Sequence, residues 1–220
     1  MMHRSGEVCY FLCALIVATL PLSKHTVIAT QAVTTEDVVT ETLPIVMVFN
    51  TTDKLWLYKQ NISKSPSCEY SPCIVEEKRC MFYKTCNISN EDVDLLKKRK
   101  QLRGNNWART LLHGTFNNSA EPLGSVDLVH KGDHKKPYAN MTLVYNESYC
   151  SVFLTEYWQE PRPVCELFAR GKQAPHDPTT GCNDYFKENC TGDILVLYNS
   201  TCVTEIETSP SSDIYCKVDG

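Results

Sequence analysis

The sequence predicts a mainly antiparallel β protein, a closed barrel or a sandwich, with one late helix and a disulfide framework. Three observations carry that prediction. Eight short runs of strand composition recur between turn-like clusters, the 220 residues include 12 Cys, and an apolar leader marks the chain for export, where thiols pair. Composition sets the outer bounds. With 3 Trp, 11 Tyr and 7 Phe the chain is not low-complexity disorder, and 9 Gly exclude a collagen. A formal net charge of -4 leaves no protein-wide positive field of the kind non-specific phosphate binding needs, so nucleic acid is not expected as a partner.

The elements follow in chain order. Arg4 precedes an apolar run, Val8 to Leu20, and small residues (Ser23, Ala29, Ala32) follow it, which is the layout of a secretory signal peptide over 1–29. The run falls short of the roughly 20 apolar residues a bilayer span needs, and no longer one appears downstream, so no membrane anchoring is expected. Removal of the leader discards Cys9 and Cys13 and leaves an even number of cysteines, the signature of a disulfide framework. Residues 30–52, rich in Thr and Val, read as a loosely held N-terminal segment. The strand-like runs are Lys54–Gln60, Arg79–Thr85, Asn106–Leu112, Val126–His130, Met141–Tyr145, Tyr149–Tyr157, Val164–Arg170 and Asp193–Tyr198. A helix is expected after the capping residues Thr179 and Thr180, where Cys182, Tyr185, Phe186 and Cys190 share one face. A polar tail, 203–220, closes the chain. Asn-X-Ser/Thr triplets at Asn50, Asn61, Asn87, Asn117, Asn140, Asn146 and Asn199 predict glycosylation; Asn189, whose triplet contains Cys190, is the doubtful one.

Strand alternation assigns sides. Cys165, Leu167 and Ala169 face one way along their strand, and Glu166 and Phe168 the other; the same rule sets Cys150 and Val152 against Ser151 and Phe153. If the cysteines point out toward the helix, Glu166, Phe168, Ser151 and Phe153 point inward. A carboxylate beside a phenyl ring inside a barrel is costly as filling and makes sense in a ligand cavity; the competing reading sets Glu166 at a rim, solvated or paired with Arg170.

The run Cys150-Ser151-Val152, then Glu166-Leu167-Phe168, then Cys182 on a helix resembles the tick salivary lipocalins, the tick histamine-binding protein family. The leader, DKLWLYKQN and ILVLYNSTC are similar to that family too, and the resemblance covers roughly Asp53 to Cys202. It implies an eight-stranded antiparallel lipocalin barrel over 53–202, with a C-terminal helix packed outside and a cavity for a small host mediator. It also implies bridges Cys150–Cys182, Cys165–Cys190 and Cys80–Cys202, leaving the pairing of Cys68, Cys73, Cys86 and Cys216 open. The family's amine pattern carries an acid where this chain has Ser151, and Trp or Tyr where it has Phe168. That exchange removes a charge-assisted hydrogen bond worth roughly 1.5 to 3 kcal/mol, so a leukotriene- or fatty-acid-type ligand competes with histamine or serotonin.

The resemblance thus implies a secreted protein that sequesters a biogenic amine or a lipid at Glu166, Phe168, Ser151 and Phe153. Trp56 and Trp107 line the cavity or pack its closed end, and packing is the more frequent role of so large an aromatic. A scaffold that binds a complement or chemokine partner is the rival class. No catalytic constellation, cofactor fingerprint or metal signature is present in the sequence; His130 and His134, separated by Gly132-Asp133, make a poor metal pair. Lys97-Lys98-Arg99-Lys100, with Arg103, reads as a solvated surface first and as an anion-binding patch second.

Overall fold

A computed structural model of the chain describes residues 42–62, 79–101, 106–117, 122–172, 174–208 and 216. The expected leader, Cys68, Cys73 and Arg103 lie outside these. Eight antiparallel strands close into a barrel: β1 (Lys54–Ile62), β2 (Phe82–Ile88), β3 (Asp92–Lys100), β4 (Trp107–Asn117), β5 (Ser125–His130), β6 (Asp133–Glu147), β7 (Cys150–Tyr157) and β8 (Val164–Gly171). Each strand pairs with its neighbours in sequence, and β1 meets both β8 and β2 to complete the ring. A short ninth strand, β9 (Asp193–Val196), adds to β1 where a bulge between Leu57 and Lys59 turns β1 out of its pairing with β2. The barrel alternative of the sequence prediction is therefore the fold, and the sandwich is not.

β3 is the strand composition hides, since LLKKRK reads as a charged surface. Lys97 is 8% exposed and Lys98 0%, so the solvated surface expected of this run is corrected. The reason is alternation: Val93 and Leu95 enter the interior cluster, which turns Lys97 and Arg99 to the same side, and Lys98 pairs with Phe82 on the other. β6 also runs further than its apolar centre predicts. It passes through Pro137, which pairs with Val129 at a register irregularity, the place a residue without an N–H is tolerated.

The interior is filled by Leu55, Leu57, Val93, Leu95, Val126, Met141, Leu143, Phe153 and Phe168, among others, each turned inward by strand parity. One end is closed by a helix absent from the sequence reading, α1 (Pro44–Phe49), within the segment expected to be loose. Pro44 is preset for the first helical turn. The apolar run that follows buries Ile45, Val46, Val48 and Phe49, and Phe49 sits 5.9 Å from Phe153 and 6.2 Å from Phe116. A Cβ on Gly124, which has φ +89°, would lie 2.7 Å from Ile45, so glycine lets this turn come against the helix.

Outside, α2 (Thr180–Asn189) lies as expected, capped by Thr179, whose hydroxyl accepts from the Cys182 N–H at 3.3 Å. Its buried face, Cys182 and Phe186, packs on Cys150, Val152, Cys165 and Leu167. The bridges Cys150–Cys182, Cys165–Cys190 and Cys80–Cys202 form, and a fourth joins Cys86 to Cys216. A second short helix, α3 (Thr201–Glu207), runs into the expected tail and buries Cys202 and Ile206 against Trp56, Phe82 and Trp107.

Candidate functional site

β7 and β8 place an ionisable centre inside the barrel. Glu166 is 0% exposed, and the Tyr157 hydroxyl donates to both its carboxylate oxygens, at 2.9 and 3.1 Å. Pairing brings Gln60 beside Glu166 from β1, and parity turns Thr155 inward from β7. Tyr83, from β2, packs against Phe168 with ring centroids 5.7 Å apart and the planes tilted by 41°. The side-chain oxygens of Gln60 and Thr155 are buried and find no hydrogen-bond partner among the described residues. Burial, first, and the Glu166 carboxylate both push the phenols of Tyr157 and Tyr138 above the usual tyrosine range; burial, Tyr138 and then Glu166 do the same to Tyr83.

Above this centre, at the end of the barrel opposite α1, lies a cavity of about 460 Å³. Tyr138 and Tyr157, the latter bonded to Glu166, line it, and Trp158 and Pro137 add apolar wall; Glu166 itself is not among its lining residues. Lys97, Arg99, Lys136 and His130 also line it, with Glu160 as the acid. The Lys97 ammonium donates to the Tyr138 hydroxyl and sits 4.8 Å from that ring's centroid. The His130 ring meets Tyr138 edge-on at 5.5 Å, and burial, then Lys136, lowers its pKa. Three permanent cations against one acid make this a place for an anion, its hydrocarbon meeting aromatic faces. A second depression, of about 560 Å³, lies on the outer wall between β5, β6 and the β7–β8 turn and shares Tyr157, Trp158 and Glu160 with the first.

The residues singled out in the sequence divide. Glu166, Phe168, Phe153 and Ser151 all turn inward, but they do not converge on one space. Phe153 and Phe168 pack edge to face at 5.7 Å in the core, and Ser151 lies one pleat further from the mouth, its hydroxyl donating to Asn146 at 2.9 Å. Neither described cavity is lined by any of the four. Trp56 and Trp107 line neither described cavity: their strand positions turn them to the outer wall, where they take the packing role, under α3. The sequon Asn61 is corrected too. Its Nδ2 donates to the Thr191 carbonyl and its Oδ1 accepts from the Cys165 N–H, both at 2.7 Å, and it is buried. No glycan fits there. Asn50, Asn87, Asn117, Asn146 and Asn199 are exposed, and Asn140 is half-buried.

Sequence reasoning missed the residues that line the mouth. Tyr157 has the same parity as Ser151 and Phe153, and Lys97 and Arg99 the parity of Leu95, so alternation could have found all three once β3 was recognised. Tyr138 and His130 carry no comparable signal.

The family profile of the tick histamine binding protein matches residues 127–204. The match bears out the resemblance to the tick histamine-binding protein family. That span runs from β5 to α3 and includes Glu166, the mouth residues His130, Lys136, Tyr138 and Tyr157, and both bridges to α2. Similar solved structures include Japanin from Rhipicephalus appendiculatus bound to cholesterol, at 15% identity and TM-score 0.45 over 71% of this chain and 99% of that one. Lobster apocrustacyanin A1 is similar at 12% identity and TM-score 0.45, over 67% of this chain and 77% of that one. No curated protein matches the sequence. The family match covers about a third of the chain, from β5 into α3, and the solved structures share with it the form of the barrel.

Proposed function

We propose that the protein is a secreted salivary lipocalin that captures a small amphipathic mediator bearing an acidic group, of the fatty-acid or leukotriene class, and so withdraws it from host defence. The observation that carries this reading is the charge of the mouth cavity: Lys97, Arg99 and Lys136 surround a space walled by Tyr138, Tyr157 and Trp158. A carboxylate gains a charge-assisted hydrogen bond from each cation it reaches, roughly 1.5 to 3 kcal/mol or ten- to a hundredfold in affinity, while an ammonium is repelled by the same groups. Capture is stoichiometric, and the four bridges suit an oxidising, extracellular setting.

A biogenic amine held at Glu166 is the second reading, favoured by the unfilled oxygens of Gln60 and Thr155, which an ammonium's donors would satisfy. It requires the ligand to pass the mouth cations and to part Tyr157 from Glu166. Calorimetric titration of the whole glycoprotein with arachidonate and with histamine separates the two. Saturable heat with arachidonate, abolished or cut tenfold or more in Lys97→Gln/Arg99→Gln, is expected; histamine binding that survives those changes and is lost in Glu166→Gln would install the amine reading instead.

A further inference from the structure

The outer depression has an occupant written into the chain. Asn140, on β6, is a sequon asparagine (Asn140-Met141-Thr142) and is itself part of the wall. It pairs with Asp127 on one side and Glu156 on the other, so the three side chains form an outward row across β5, β6 and β7. Its amide is oriented from both ends: the Thr142 hydroxyl donates to Oδ1 at 3.3 Å, and Nδ2 donates to Asp127 at 2.7 Å. N-glycosylation replaces one of the two Nδ2 hydrogens and leaves the other, so a sugar can be added without removing the amide's last donor. Across the depression stands Trp158, 72% exposed, two residues beyond Asn140's cross-strand partner and so its diagonal neighbour at about 7 to 8 Å. A tryptophan face left in water beside a tethered sugar is a stacking platform, because a pyranose presents a face of C–H groups and an indole an electron-rich ring.

We propose that this depression is the seat of the first N-acetylglucosamine on Asn140, stacked on Trp158. Its volume, about 560 Å³, lies within the roughly 300 to 1,000 Å³ that holds a drug-sized ligand. The sugar covers the largest exposed aromatic on the barrel and braces the β7–β8 turn. Since Trp158 and Glu160 also line the mouth cavity, the modification supports one wall of it from outside.

The chain's three tryptophans make the test direct, because Trp56 and Trp107 are buried and Trp158 alone of them is open to a quencher. The secreted glycoprotein is first mapped by glycopeptide mass spectrometry, which is expected to find Asn140 occupied. Acrylamide quenching of tryptophan emission is then compared in wild type and Asn140→Gln. Covering one face of the indole removes about half its accessible area, so the quenching constant is expected to rise about twofold in the variant. Enzymatic trimming of the native glycoprotein to a single N-acetylglucosamine should preserve the protection, and complete removal should abolish it, which keeps the test valid if the variant folds poorly. An unoccupied Asn140, or an occupied one whose removal leaves quenching unchanged, overturns the proposal.

Discussion

Tyr157→Phe isolates the contact that seals the buried carboxylate. The substitution deletes one hydroxyl that donates to both oxygens of Glu166, at 2.9 and 3.1 Å, in a place where water does not replace it. Leaving a buried acceptor without its hydrogen bond costs about 1 to 3 kcal/mol, and in a domain of this size each kcal/mol shifts Tm by roughly 2 to 4 °C. Tyr157→Phe is therefore expected to lower Tm by about 5 to 10 °C with the disulfides intact. A double-mutant cycle with Glu166→Gln sharpens the assay. A glutamine offers Tyr157 one carbonyl oxygen where the carboxyl offers two, so Tyr157→Phe should cost only about 1 kcal/mol in that background, a coupling of about 1 kcal/mol. Urea unfolding of the four proteins at pH 7 reads it. Additive effects, or a Tyr157→Phe change within 0.5 kcal/mol of zero, would refute the assignment of this bond as the seal.

The remaining predictions concern stability and modification. Tyr83, Tyr138 and Tyr157 have pKa values raised in the folded state, so the fold holds their protons more tightly than the unfolded chain; stability should be intact below pH 10 and fall as pH rises above it, by about 1.4 kcal/mol per pH unit for each buried phenol, with these three silent in 295 nm absorbance titration until unfolding. Glycopeptide mapping should find Asn61 unmodified, and Asn61→Ala should destabilise by about 2 to 3 kcal/mol because it strips a partner from the buried Cys165 N–H and the Thr191 carbonyl. Replacing Cys165 and Cys190 together by Ala opens a 25-residue loop and should cost about 3 kcal/mol in urea unfolding, with the barrel's far-UV dichroism retained.

Most of the barrel was legible because its strands combine β-rich composition with turn signals, and because parity around Cys150 and Cys165 needs no tertiary information: it put Glu166 and Phe168 inside, where they are. β3 was not legible. Its cations are half inward and half outward, and only their position at the mouth and under α3 explains why a strand tolerates four in a row. α1 escaped for a similar reason: a six-residue apolar run gives no helical period, and its helicity comes from docking in the barrel's end. The two described cavities lie elsewhere than at the expected residues. Parity says which way Phe153, Phe168 and Ser151 point, but only packing shows that they fill the interior and leave the space to residues nearer the mouth. Asn61 matched a sequon by local pattern, and β9, distant in sequence, buried it.

The decisive comparison is a matched pair of ligands, arachidonate and its methyl ester, titrated calorimetrically into the same protein at low salt. The account predicts that the free acid binds at least about tenfold more tightly than the ester and that raising the salt narrows the gap, because Lys97, Arg99 and Lys136 act on the carboxylate. Equal affinities for acid and ester would contradict it.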